Sequence, residues 1–123
     1  MRNLVIFTSV VVVAALSGVT AAQSNVAGKW DGTATPSTGG APTSWTMTLD
    51  QDGAEVTGSY TDTFGGVGKI AGTVAGGQAE FLLTLADGTA FTAEFVVEGD
   101  EWTTCTYAGA TVGSGTCSAT RAE

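Results

Sequence analysis

Cys105 and Cys117 are the residues of this sequence best suited to covalent chemistry, and they are its two cysteines. Two thiols can bind zinc, act in redox exchange or form a disulfide. Zinc and redox sites usually combine cysteine with histidine or space two cysteines as Cys-x-x-Cys, and the chain has neither feature. Cysteines of small domains in oxidising compartments pair with each other. The sequence therefore predicts a Cys105–Cys117 disulfide, which should stabilise the fold by about 3 kcal/mol.

The 12 carboxylates are the remaining candidates for acid–base chemistry or metal binding. The chain contains no His, so the most common general base is absent. The segment Asp50-Gln51-Asp52-Gly53 is similar to the start of an EF-hand calcium loop, but Ala54 and Thr61 stand where that loop needs oxygen ligands. We therefore predict a hairpin turn at this segment, no metal site, no cofactor and no enzymatic activity.

The candidate binding residues are aromatic side chains that alternation places on the inward faces of strands. They are Trp45, Tyr60, Phe81, Phe91 and Phe95. These rings either fill the core or line a pocket for one small apolar ligand, and small barrels offer both solutions. Short strands favour the filled core. Inward glycines favour the pocket, because each is expected to leave space; these are Gly28, Gly32, Gly58 and Gly72.

The elements that must position these residues are short β-strands. From residue 26 onward, apolar and polar residues alternate in runs separated by glycine-containing turns, which is typical of a β-sandwich or β-barrel. The runs cover residues 26–35, 44–49, 55–60, 69–74, 80–85, 91–97, 101–108 and 114–121. Tight turns such as Asp87-Gly88 join consecutive runs as hairpins, and one longer loop spans residues 36–42. Eight hairpin-linked strands predict an all-β, antiparallel up-and-down barrel, with a two-sheet β-sandwich as the alternative.

The N-terminal residues have the layout of a secretory signal peptide. Arg2 precedes an apolar run over residues 4–16, and small residues follow up to Ala22. A membrane-spanning helix needs about 20 apolar residues, so this run is too short. We predict cleavage after Ala21 or Ala22, a signal peptide over residues 1–22, one barrel domain over residues 23–123, and a secreted or periplasmic protein without a membrane anchor.

Charge narrows the choice of partners. Without its leader the chain keeps three cations, Lys29, Lys69 and Arg121, against all 12 carboxylates. Nucleic acids attract basic surfaces, so we expect no nucleic-acid partner. An acidic surface keeps a sheet-rich protein soluble, and we expect a monomer.

The segment Gly28-Lys29-Trp30, at the start of the first strand, resembles the Gly-x-Trp motif of the calycins, which include the lipocalins and avidins. In calycin barrels the Trp closes one end and a basic residue of the last strand lies across its ring. The resemblance assigns these structural roles to Trp30 and Arg121. The segment from Val56 to Tyr60 is also similar to the third strand of avidins.

The polar residues that bind biotin in avidins are not matched here. Gly32 stands in place of an Asn, and Asp62 in place of a Ser. We therefore expect no biotin binding. The sequence predicts a binding module for a small apolar or amphipathic ligand; the alternative is a protein-interaction or hydrolase-inhibitor barrel with a filled core.

Overall fold

Eight β-strands follow one another in the computed structural model, which describes residues 24–122. They are β1 (Gly28–Pro36), β2 (Thr43–Asp52), β3 (Glu55–Asp62), β4 (Val67–Ala75), β5 (Gln78–Leu85), β6 (Ala90–Glu98), β7 (Glu101–Gly109) and β8 (Gly113–Arg121). Each strand pairs antiparallel with the next, and β8 pairs with β1, so the sheet closes into a barrel. This closure confirms the up-and-down barrel and excludes the β-sandwich.

Alternation along the strands separates the core from the surface. In β5, Ala79, Phe81 and Leu83 are buried, while Glu80 and Thr84 are exposed. The same pattern recurs around the barrel, because successive side chains of a strand point to opposite faces. Within residues 24–122, every buried side chain is hydrophobic. Burial of these apolar surfaces is the main force that holds the barrel together.

Inward glycines lie beneath large side chains of the neighbouring strand. Gly32 is opposite Trp45 and Gly72 is opposite Phe81 in the strand register. A Cβ atom at Gly32 would collide with the Trp45 ring, and one at Gly72 would stand 2.5 Å from the Phe81 ring. The expectation that these glycines leave empty space is therefore wrong, because the opposing ring already occupies it.

A β-bulge interrupts β7 between Trp102 and Cys105. Thr104 adopts a φ of 47°, an uncommon value for a residue with a branched Cβ. The bulge resets the alternation, so Trp102, Cys105 and Tyr107 all face inward. Strict alternation along residues 101–108 would place only one of Trp102 and Tyr107 on this face, and the structure places both there.

The Cys105–Cys117 disulfide is confirmed. The two residues are cross-strand partners in β7 and β8, with their Cα atoms 4.8 Å apart. A disulfide is typical of proteins outside the cytosol. The predicted signal peptide lies outside the described residues. Within residues 24–122 we find no apolar helix of membrane-spanning length.

Candidate functional site

One end of the barrel is sealed by the chain segment that precedes β1; we call it the closed end. Val26 and Trp30 are fully buried there. The Trp30 Nε1–H donates a hydrogen bond to the Val26 carbonyl oxygen at 2.9 Å. The Gln51 side chain accepts a bond from the Val26 amide and donates to the Ser24 carbonyl oxygen. These bonds hold residues 24–27 across the barrel opening.

Arg121 completes the closed end. Its guanidinium carbon lies 4.3 Å from the centroid of the Trp30 ring, which is a cation–π contact. The same group donates to the carbonyl oxygens of Asn25 and Ala27 and pairs with Asp100 at 2.8 Å. The structure thus confirms the predicted contact between Trp30 and Arg121. With its donors engaged in this way, the Arg121 guanidinium holds residues 24–27 in place over the buried Trp30 ring.

A packed aromatic layer fills the middle of the barrel. The Trp102 ring stacks on Phe95, with centroids 3.7 Å apart, and lies 5.3 Å from both Trp30 and Trp45. Phe81 meets Phe95 edge-on at 4.9 Å. Trp102 Nε1 is buried and has no hydrogen-bond partner within residues 24–122. Phe81 and Phe95, two of the five predicted binding residues, therefore belong to the core.

The other end of the barrel, which we call the open end, contains a pocket of about 230 Å³. Three of the predicted binding residues, Trp45, Tyr60 and Phe91, line this pocket. Tyr60 and Phe91 meet at nearly right angles, and so do Phe91 and Tyr107. The remaining walls are mainly apolar and include Ala34, Met47, Leu85, Trp102 and the two cysteines. The barrel interior is thus packed in its middle and contains a cavity at the open end, whereas the sequence alone allowed either a filled or an open interior.

Sequence reasoning missed two residues at the pocket mouth. Phe64 and Val112 line the pocket, and their side chains are 81% and 38% exposed. Both lie in loops, the first between β3 and β4 and the second between β7 and β8. Alternation says nothing about loop residues, so the one available signal was the presence of large apolar residues within polar turns.

Tyr60 and Asp62 form the polar element of the pocket. The Tyr60 hydroxyl donates to Asp62 Oδ2 at 2.9 Å. Asp62 Oδ1 accepts bonds from the backbone amides of Phe64 and Gly66, which fixes the loop at the mouth. Burial raises the pKa of Tyr60 above its ordinary value, and the hydrogen bond to Asp62 and the charge of that carboxylate raise it further. The phenol therefore stays protonated and remains a donor at neutral pH.

Asp62 is the one residue of the pocket lining that carries a formal charge. Lys29 and Lys69 are exposed on the outer face of the barrel, and Arg121 is at the closed end. Among residues 24–122, no group of three or more His, Cys, Asp or Glu side chains could hold a metal ion. The chemistry available in the pocket is therefore binding through aromatic and apolar surfaces, one carboxylate and the hydroxyl groups of three lining residues, Thr43, Tyr60 and Tyr107.

A wider depression of about 690 Å³ lies on the outside of the barrel, across β1, β2 and β8. Its lining consists largely of exposed polar residues such as Asp31, Thr33 and Thr120. It shares Trp45, Asp62 and Trp102 with the pocket of the open end, but a larger part of its lining is polar, and small-molecule sites are usually the more apolar cavities. We therefore place the candidate site in the smaller pocket of the open end.

Comparison with known proteins supports the fold. No family model matches the sequence, and no curated protein matches it. Among solved structures, a de novo designed, fluorescence-activating β-barrel is similar, with a TM-score of 0.60 and 15% sequence identity. The alignment covers 78% of this chain and 93% of the designed chain. At this identity the likeness concerns the barrel architecture, and none of the comparisons indicates an enzyme family.

Proposed function

We propose that this chain is a secreted or periplasmic binding module that holds a small apolar or amphipathic ligand in the pocket of the open end. The observation that carries the proposal is the combination of an apolar pocket of about 230 Å³ with an opposite end that is sealed. Concave, mainly apolar cavities with a few polar groups are the usual form of small-molecule sites.

The size of the pocket sets the size of the ligand. An engineered apolar cavity of about 150 Å³ binds benzene, whereas pockets for drug-sized ligands have volumes of about 300–1,000 Å³. A pocket of about 230 Å³ lies between these limits. We therefore expect a ligand of one or two rings, or an aliphatic group of similar volume.

Two likenesses support this proposal. The designed barrel that resembles this chain is described as fluorescence-activating. The Gly-x-Trp motif resembles that of the calycins, whose barrels hold ligands in their interiors. Biotin is not among the expected ligands, because Gly32 and Asp62 replace two of the polar residues that bind it in avidins, and the Trp45 ring lies over Gly32.

The alternative function is that of a protein-interaction or hydrolase-inhibitor barrel, whose core would be filled. The pocket at the open end argues against that arrangement. The proposed location rests on the signal-peptide pattern of residues 1–22 and on the disulfide, since both are features of exported proteins.

Binding of the neutral two-ring dye 6-propionyl-2-(dimethylamino)naphthalene, whose fluorescence responds to an apolar environment, to the purified protein tests the proposal. Its fluorescence should rise on binding and saturate at one dye per chain. Ala34→Phe should abolish the increase, because Ala34 lines the pocket and a phenyl group would fill the mouth. Leu82→Ala is the matched control: Leu82 is 47% exposed on the outer wall, so dye bound to exposed apolar surface would be lost here instead. Absence of saturable binding, or loss of binding in the control alone, would refute the proposed function.

A further inference from the structure

We propose that the pocket of the open end selects hydrophobic cations, that is, small apolar or aromatic groups that carry an ammonium or quaternary ammonium, over anions of the same shape. This inference rests on the proposed function, because it assigns a ligand class to the same pocket. Three features of the structure support it: the aromatic walls of the pocket, the carboxylate of Asp62, and the location of the positive side chains outside the pocket.

The aromatic walls favour a positive ligand. Trp45, Tyr60, Phe91 and Tyr107 line one pocket, and neighbouring rings along the wall are steeply inclined to each other, at 78° and 72°. Rings arranged in this way present both faces and edges to a shared space. A cation over a ring face is attracted by the negative charge of the π-system, and the attraction grows when both groups are shielded from water.

The Asp62 carboxylate has a charge that no positive side chain in the pocket lining balances. Its three hydrogen bonds come from the neutral Tyr60 hydroxyl and from two backbone amides, of Phe64 and Gly66. A carboxylate has about four acceptor positions. Two of these bonds are on Oδ1 and one is on Oδ2, so the negative charge on Oδ2 is the less screened by hydrogen bonds and can attract a cation.

No positive side chain of the lining could pair with an anion in this pocket. The three cations of the described residues lie elsewhere: Arg121 is tied to Trp30 and Asp100, and both lysines are exposed on the outer wall. The chain as a whole is strongly acidic, which attracts cations and repels anions over longer distances. Aromatic walls, an unbalanced carboxylate and a negative field therefore act in the same direction.

Three probes that share a naphthalene ring but differ in charge test this preference. They are (naphthalen-2-ylmethyl)trimethylammonium, 2-naphthylmethanol and 2-naphthylacetate, each titrated into the purified protein by calorimetry. The cation should bind about tenfold more tightly than the neutral alcohol, as expected for a partly desolvated cation–π contact. The anion should bind more weakly than the alcohol. If none of the three binds, the proposed function fails; if all bind equally, or the anion binds best, the charge preference alone is refuted.

Asp62→Asn separates the contribution of the carboxylate from that of the overall field. The amide oxygen can still accept the bonds from Phe64 and Gly66, so the loop should keep its shape, which circular dichroism checks. The advantage of the cation over the alcohol should fall several-fold, while binding of the alcohol stays unchanged. Asp87→Asn is the control, because Asp87 is an exposed turn residue at the same end and does not line the pocket. Equal effects of the two substitutions would overturn the role of Asp62.

Discussion

The closed and open ends are built from the same eight strands, yet they use their polar groups for different purposes. At the closed end, Gln51 and Arg121 bind the backbone of residues 24–27 and hold it over the buried Val26 and Trp30. At the open end, Asp62 binds only the backbone of its own loop and the hydroxyl of Tyr60. The hydrogen bonds of one end seal the barrel, whereas those of the other shape the rim of a pocket.

The difference shows how a small barrel can contain a pocket without losing stability. A segment from outside the strands covers one end, where Val26 and Trp30 are fully buried. The other end is bordered by loops alone, and its aromatic residues Phe91 and Tyr107 are only half buried. Stability should therefore depend mainly on the closed end, and ligand binding on the open end.

Substitution of Trp30 should have the largest effect on stability. Trp30→Ala removes a fully buried indole and its hydrogen bond, and such changes typically cost 3–5 kcal/mol. Phe91→Ala should cost clearly less, because Phe91 is half buried and borders the pocket. The free energy of unfolding in urea measures both. Equal losses at the two positions would contradict the division between the ends.

The substitution Gly32→Ala tests how tightly the Trp45 ring packs against the backbone of β1. In Gly32→Ala the added carbon meets the Trp45 ring and the Ser118 carbonyl oxygen, so we expect a loss of about 1–3 kcal/mol from overpacking. Because Trp45 also lines the pocket, binding of 6-propionyl-2-(dimethylamino)naphthalene should change as well.

The control for this substitution is Gly40→Ala. Gly40 lies in the exposed loop after β1, where a Cβ would make an ordinary contact of 3.5 Å with Pro36. Its effect on stability should stay within about 0.5 kcal/mol, as for most surface changes. A similar loss for both glycines would show that the Trp45 ring moves aside easily.

Loss of Arg121 should weaken the closed end by about 1 kcal/mol, since Arg121→Ala removes a cation–π contact and the packing of the side-chain stem. The losses in Trp30→Ala and Arg121→Ala should not add, because both substitutions remove the same contact. A double-mutant cycle in urea measures this coupling. Strict additivity would mean that Arg121 stabilises the end through the backbone of residues 24–27 alone.

The smallest expected effect concerns the pH dependence of the open end. The raised pKa of Tyr60 means that the folded protein holds this proton more tightly than the unfolded chain, whose tyrosines titrate near pH 10. The contribution of Tyr60 is therefore fully present below about pH 10 and is lost as the pH rises further. In Tyr107→Phe, Tyr60 is the one tyrosine left, because the chain has two.

Absorbance of the phenolate near 295 nm then reports on Tyr60 alone. The folded variant should show no ionisation at about pH 10, and ionisation should accompany unfolding at higher pH. Ionisation of Tyr60 at about pH 10 in the folded protein would contradict both the burial of its hydroxyl and the hydrogen bond to Asp62.

Alternation predicted all eight strands because each buries one face and exposes the other. The resemblance of Gly28-Lys29-Trp30 to the calycin motif predicted the contact between Trp30 and Arg121, which are cross-strand partners in β1 and β8. The bulge in β7 escaped prediction, because Thr103 and Thr104 both fit an outward face and nothing in their side chains marks an insertion.

The pocket could not be predicted, because its volume depends on how far each ring tilts over the residue opposite. Phe81 and Phe95 share the inward pattern of Phe91, yet they pack around Trp102 in the middle of the barrel. Position along the strand decides the difference: Phe91 lies near the start of β6, at the open end, and Phe95 lies four residues deeper, beyond the inward Ala93. A pattern of period two distinguishes inside from outside but carries no information about depth.

The pairing of β8 with β1 has a consequence for how this protein is made. Trp30 and Arg121 are partners in the register although one lies in the first strand and the other in the last. A ribosome must therefore complete residues 113–121 before β1 gains its second neighbour, and until then β1 and β7 both expose an unpaired edge. Such edges invite pairing with other chains, and folds with many distant contacts form slowly. Synthesis and folding are thus separated in time, as the proposed export of this chain through a membrane would require.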